Sequence, residues 1–224
     1  MASGHEVLAP VLSKLGSLEL LSRIGLNTPH FIPVTVEGEL KYAFTELGKT
    51  GRVSVRTQRY VYDFGCPHFP NAEISGALST QLVNLLHQGY TLIVAEPIDP
   101  TQAVARGNAM LETGGDLEKV PVLLEFSLGP GTVRDQPDVD LIQLRRVLNA
   151  YHSRLASIRG HSGPIRSKNF ERRWGTPLAR GLAAATRAMS RLHEFPFRHC
   201  VIEWSVYRRP VGRLFEPVIF WEIR

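Results

Sequence analysis

The residues best suited to chemistry sit in the stretch VIEWSVYRRPVGRLFEPVIFWEIR, residues 201–224. Two runs of strand-forming residues, 201–207 and 217–223, each carry one carboxylate, Glu203 and Glu222, and Arg224 follows two positions after the second. A charge inside an apolar strand is expensive unless it is paired, exposed or bound to a metal. Alternate residues of a strand share a face, which groups Glu203 with Val201 and Ser205, and Glu222 with Arg224. If the two strands are neighbours, the carboxylates lie side by side, and two unpaired like charges there repel and raise one pKa. A divalent cation between them removes the repulsion. Mg²⁺ is typically held by one or two carboxylates while water and phosphate oxygens fill its other positions. Arg224 could then reach a phosphate. The competing reading is that each glutamate faces solvent on a half-wet sheet or pairs with a nearby arginine.

Other constellations are thinner. CPHF (66–69) and RHC (198–200) pair cysteine with histidine, but the spacing fits no structural zinc pattern. Cys66 beside His68 has nothing to orient the base that a nucleophile needs. SLGPGTV (127–133) lacks the lysine and Ser/Thr of a P-loop and reads as a turn. RGHSGPIRSK (159–168) is either a basic loop or a lid that touches phosphate through His161, Arg166 and Lys168. Trp204 and Trp221 are expected to pack in the core beside their glutamates.

These residues need a frame. The spacing of Leu8, Val11, Leu12, Leu15, Leu18 and Leu21 marks one apolar helical stripe, with Gly25 at a C-terminal cap. HFIPVTV (30–36) and RVSVRT (52–57) read as strands, with a short helix and turn over 37–51 between them. Residues 75–89 open on a capping Ser75 and close on Gly89, as a helix does. YTLIVAE (90–96) and PVLLEFS (121–127) are apolar runs of buried-strand length. Helical spacing returns over 138–158 and 177–195, around a polar, basic segment, 159–175, that reads as a mobile loop.

A chain of 224 residues can bury one substantial core, or a core shared by two tightly packed lobes. No apolar run approaches the roughly 18 residues of a membrane-spanning helix, and the N-terminus lacks the pattern of a secretory signal, so no membrane partner is expected. Two cysteines make no disulfide framework, which favours a reduced, cytoplasmic compartment. The net charge of +5 is concentrated: 145–191 holds eleven Lys/Arg and one acid, Glu171. Such a segment can meet an anionic substrate, an acidic partner protein or nucleic acid, or be a solvated helix face. Nucleic acid is not favoured, because Trp174 is the only aromatic between Phe170 and Phe195 available for stacking on bases.

In the N-terminal half, SKLGSLELLSRIGLNTPHFIPVT (13–35) resembles the opening of phosphoenolpyruvate synthase and pyruvate phosphate dikinase, which have the ATP-grasp fold. Lys14, Leu18, Gly25, Leu26, Pro29 and Thr35 fall at that family's spacing. VSVRTQ (53–58) is similar to its phosphate-contacting strand, and LIVAEPIDP (92–100) to the strand and hinge that hold adenine through the backbone. RGNAML and VLLEFSLGPGTV weakly resemble the strands that follow, and IEW with WEIR resembles the closing metal and phosphate motif. The resemblance implies an α+β (α/β), ATP-grasp-like fold, whose two lobes carry mixed or antiparallel sheets enclosing a nucleotide cleft. An N-terminal lobe would cover 1–90, and a C-terminal lobe 91–224, including the basic segment 145–191. It implies ATP and Mg²⁺ as cofactors. Lys14 and Arg56 would neutralise triphosphate oxygens, and Glu96, Pro97 and Ile98 would border adenine, with Glu96 accepting from its amino group or receiving the ribose. Glu203 and Glu222 would hold the metal, and Arg224 would sit near the β- and γ-phosphates.

Three departures stand out. Glu222 replaces the family's amide, Gln58 replaces a small hydroxyl, and the acidic cluster that follows is reduced to Asp63. The phosphohistidine and pyruvate-binding domains are absent from this sequence, so phosphoenolpyruvate synthesis by this chain alone is not expected. The expected activity is ATP-dependent phosphoryl transfer or carboxylate activation, with an anionic acceptor or partner supplied in trans. The alternatives are a non-catalytic nucleotide-sensing or scaffold module, and a nucleic-acid-binding protein using the arginine-rich segment.

Overall fold

A computed structural model describes residues 12–59, 65–112, 122–128, 140–147, 150–158, 161–164, 184, 188, 191 and 199–224; over 110–112, 122–164 and at 199 only the backbone is described. Two antiparallel sheets carry the fold. The smaller has the order β1-β4-β2-β3, from β1 (Phe31–Val34), β2 (Arg52–Gln58), β3 (His68–Glu73) and β4 (Thr91–Ala95). One face of it packs on α2 (Glu37–Leu47) and α3 (Gly76–His87) through Val53, Val55, Leu92 and Val94 against Leu40, Leu47, Leu78 and Leu82. The period-two alternation of β2 leaves Ser54 and Arg56 on the opposite face.

The larger sheet has the order β11-β10-β5-β6-β7-β8-β9. Its strands are β5 (Ala103–Glu112), β6 (Val122–Leu128), β7 (Asp140–Val147), β8 (Ala150–Ile158), β9 (His161–Pro164), β10 (His199–Val211) and β11 (Glu216–Ile223). On β10, Cys200, Ile202, Trp204 and Val206 are buried on one face. Ala105, Gly107 and Ala109 of β5 lie beside them, and Gly107 is paired with Trp204, so small residues make room for the indole. The other face carries Glu203 and Ser205.

Two expectations are corrected here. Residues 141–158, whose apolar spacing reads as helical, form the β7–β8 hairpin with Val147 paired to Ala150; strand pairing onto the open edge of β6 overrides local periodicity. Residues 161–164, expected in a loop, extend the sheet as β9. Of 177–195, positions 184, 188 and 191 are described and are helical. β4 pairs with β1 and β2, so the chain passes between sheets at 96–102 through a 3₁₀ turn, Pro100–Gln102.

The N-terminal helix α1 (Lys14–Arg23) belongs with the larger sheet. Ser13 caps it by accepting from the Gly16 N–H. It ends on Gly25 at φ +75°, with Gly25 N–H donating to Ser22 O and Leu26 N–H to Leu21 O. Leu18 and Leu21 are fully buried, and the Ser17 hydroxyl donates to Ile223 O at 2.8 Å. Just beyond α1, Asn27 ties down the β10–β11 hairpin. Its amide donates to Val211 O (2.8 Å), Glu216 O (3.3 Å) and Val218 O (2.6 Å), and its oxygen accepts from Leu214 N–H (2.7 Å). Its backbone oxygen accepts from Phe220 N–H. Asn27→Ala strands these buried groups and should lower stability by about 2–4 kcal/mol in urea denaturation. A loss under about 0.5 kcal/mol would show that the hairpin holds without it.

Candidate functional site

The β10–β11 hairpin sets Glu203 and Glu222 directly opposite one another, and β5 places Asn108 opposite Glu203 on its other side. The row Asn108–Glu203–Glu222 therefore crosses three strands on one face. Facing side chains on paired strands stand roughly 4.5–5.5 Å apart at Cβ, close enough for two carboxylates to repel strongly. Each is neutralised by an arginine. Arg224 Nη2 lies 2.7 Å from Glu203 Oε1, and Arg56 Nη2 lies 2.7 Å from Glu222 Oε2. The carboxylates are adjacent, and both are arginine-paired.

Arg56 comes from the smaller sheet. Its other terminal nitrogen, Nη1, donates to Trp221 O at 2.9 Å, so one side chain holds the two sheets together. The register slips between Glu203 and Trp204, leaving Trp221 as the extra residue of a bulge. Its indole N–H donates to Ser205 Oγ at 2.9 Å, and its ring packs with Ile98, Tyr207 and Ile219. Trp221 thus lines this face, whereas Trp204 is buried behind it, as expected.

More positive charge gathers around the row. Lys14, the first residue of α1, donates from Nζ to Thr57 O at 3.0 Å, next to Arg56. Gln58 accepts from Leu15 N–H at 2.9 Å, so the amide that replaces a hydroxyl here anchors the helix start. Arg106, two residues before Asn108 on β5, donates from Nη2 to Pro100 O at 3.2 Å, and its buried Nε has no partner. His68 is paired in register with Arg56. Its pKa is lowered by partial burial and then by the charges of Arg56, Lys14 and Arg106. Sequence reading missed Arg106, Asn108 and His68 as site residues. The alternation of Arg106 and Asn108 between small residues was the signal available.

The 96–98 segment lies beside an apolar patch. Ile98 is buried with Ala103, Tyr207 and Ile219. Glu96 Oε1 accepts from His30 N–H at 2.9 Å, so one oxygen of this carboxylate is taken within the chain. Cys200 lies on the opposite face of β10 from Glu203, and burial raises its thiol pKa to about 12.

In sequence, no family model and no curated protein matches the chain. In structure it resembles N5-carboxyaminoimidazole synthetase from Staphylococcus aureus complexed with ADP, with a TM-score of 0.50 and 12% identity over 95% of this chain and 43% of that one. The ADP complex of purK, N5-carboxyaminoimidazole ribonucleotide synthetase, gives 0.50 and 14% over 92% of this chain and 42% of that one. The chain has the ATP-grasp fold. The ATP-grasp ligase PsnB, complexed with minimal precursor, gives 0.45 and 10% over 95% and 51%. The chain spans less than half the length of the two synthetases.

Glu203, Glu222 and the Asn108 amide offer hard oxygen donors on one row of this ATP-grasp sheet, a set suited to Mg²⁺ rather than to a soft metal. Among the described residues no group of three or more His, Cys, Asp or Glu is placed to hold an ion. A metal here would draw its remaining ligands from water or substrate oxygens, as Mg²⁺ commonly does. Arg56→Gln removes the largest charge acting on His68 and should move that pKa up, toward the ordinary histidine range. An NMR titration of His68 in both proteins checks the sign, and an unmoved pKa would detach His68 from the cation cluster.

Proposed function

We propose that the chain binds Mg-ATP between its two sheets and activates a carboxylate on an acceptor supplied by another molecule. The observation that carries this reading is Arg56 reaching from the smaller sheet to Glu222, which itself stands opposite Glu203. Phosphoryl transfer asks a protein mainly to position its reactants and neutralise charge. Four cations, Lys14, Arg56, Arg106 and Arg224, stand around two carboxylates, Glu203 and Glu222, an excess of two positive charges for a polyanion. The ATP-grasp fold adds a fold-level analogy to enzymes of this class.

In this reading Lys14 and Arg56 hold triphosphate oxygens, and Arg224 exchanges the Glu203 carboxylate for a β- or γ-phosphate oxygen. Glu203 and Glu222 hold Mg²⁺, with Asn108 beside them. Mg²⁺ held by Glu203 and Glu222 would supply charge neutralisation for the transferring group. The half-buried Trp221, backed by the buried Ile98, Tyr207 and Ile219, gives the base an apolar surface, with Glu96 and Pro97 at its edge. The acceptor carboxylate attacks the γ-phosphorus and the β,γ-bridging oxygen leaves with ADP; an amine then attacks the acyl carbon of the acyl phosphate, the C–O bond to phosphate breaks, and inorganic phosphate leaves as the amide forms and the amine loses its proton. The phosphoenolpyruvate synthase likeness would instead place a histidine of a separate carrier as the acceptor.

Calorimetric titration of the full chain with Mg-ATP tests binding, and Glu203→Gln combined with Glu222→Gln should weaken it at least about 100-fold. Unchanged affinity in that variant, or binding that falls steeply with salt and ignores Lys14→Ala, would overturn the reading. With binding established, phosphate release that requires both a carboxylate and an amine marks the ligase. An acid-labile phosphoprotein marks the histidine route. Neither product would leave a nucleotide-sensing module.

A further inference from the structure

His68 faces the proposed triphosphate site without being one of its permanently charged residues. β3 pairs with β2 so that His68 stands directly opposite Arg56. Facing residues of an antiparallel pair share a side of the sheet, so the imidazole lies on the side from which Arg56 reaches Glu222. Its neighbours fix it there. Thr57 Oγ1 donates to Pro67 O at 2.6 Å, and Phe69 packs into the core of the smaller sheet on the other side. Lys14 Nζ donates to Thr57 O at 3.0 Å, one residue from Arg56. His68 itself is exposed, so it can exchange a proton with water.

Partial burial holds the His68 pKa below the ordinary histidine value, and the charges that add to this are all positive: Arg56 from β2, Lys14 from α1 and Arg106 from β5. Glu222 of β11 is already paired with Arg56, and Glu73 stands at the far end of β3, opposite Arg52. Triphosphate oxygens bound to Lys14 and Arg56 would oppose that field. An anion seated among cations whose charge reaches His68 acts on the same imidazole over a similar distance, with the opposite sign.

On the reading that Mg-ATP occupies this cleft, we infer that His68 is a further residue of the polyphosphate site, taking up a proton as the polyphosphate enters and returning it to solvent as the polyphosphate leaves. Only an N–H bond forms and breaks. The imidazolium adds one positive charge opposite Arg56 while the anion is present. The occupied site has the higher pKa, so binding takes up protons between the two values. The gain in affinity is complete below the empty-site pKa and is lost as pH rises through the occupied-site pKa. That window opens below the ordinary histidine range, where the empty-site value lies.

The test is calorimetric titration of the full chain with Mg-ATP at about pH 6.5, in buffers of different protonation enthalpy, beside an NMR titration of His68. His68→Gln, at an exposed position, keeps a polar side chain that does not titrate. The wild type should take up at least about 0.3 proton more per nucleotide than His68→Gln. Between about pH 5.5 and pH 8 its affinity should fall at least about threefold more than that of the variant. By NMR, which needs no variant, the His68 pKa should rise with Mg-ATP or Mg-tripolyphosphate and not with Mg²⁺ alone. Equal proton uptake in the two proteins overturns this inference and leaves the nucleotide site standing. So does a His68 pKa that is unmoved or lower in the bound state, or a rise that Mg²⁺ alone produces. Failure of both Mg-ATP and Mg-tripolyphosphate to bind removes the nucleotide site and the inference together.

Discussion

The facing pair Glu203–Glu222 is the constraint from which the rest of the site follows. Two carboxylates at one register of an antiparallel hairpin cannot stay ionised side by side without nearby positive charge. Arg224 supplies part of it from the hairpin itself, and Arg56 supplies the rest from the other sheet. The electrostatics of one strand pair therefore decide how the two sheets meet. The remaining ties act on the same hairpin. Ser17 binds the carbonyl of Ile223, and Asn27 holds its turn, with both residues on or just after the helix that begins at Lys14. A helix start with its lysine, a strand with its arginine and a hairpin with its acids become one rigid arrangement.

The ion pairs also satisfy the charges of this polar site. Each arginine satisfies a carboxylate that would otherwise be unpaired in a half-buried place, where an uncompensated charge is costly. Replacing carboxylate by phosphate at Arg56 or Arg224, and arginine by a cation at Glu222 or Glu203, exchanges one charge-assisted contact for another. Such an exchange needs little reorganisation of backbone, because the strands fix every group but the side-chain tips. His68 fits the same picture. Partial burial, and after it the charges of Arg56, Lys14 and Arg106, favour its neutral form.

Much of this was legible in the sequence, for identifiable reasons. A charge within an apolar run is rare enough to be informative, and strand alternation alone groups Glu222 with Arg224. Lys14 and Arg56 could be singled out from the order and spacing of motifs, and Ser75 and Gly89 mark a helix whose ends obey local capping chemistry. What could not be read depends on partners far away in the chain. Arg106 and Asn108 matter because β5 lies beside β10, a neighbour about a hundred residues on. The 141–158 segment has helical spacing, but an open strand edge recruits it into the sheet.

The polarity of the large sheet's site face changes along β10 in a way that matters for any ligand. At Glu203 the row is charged; at Ser205 it is a hydroxyl holding an indole N–H; at Tyr207 it is apolar and packed on Ile98 and Ile219. Four residues of strand separate the charged end from the apolar end, about 13 Å. A ligand lying along this axis must be polyanionic at one end and flat and apolar at the other, with a polar, uncharged joint between. A free polyphosphate would leave the half-buried Trp221 uncovered, and a purely aromatic ligand would leave the cations without phosphate. The gradient therefore favours a molecule that joins both parts, and a nucleoside triphosphate has that construction.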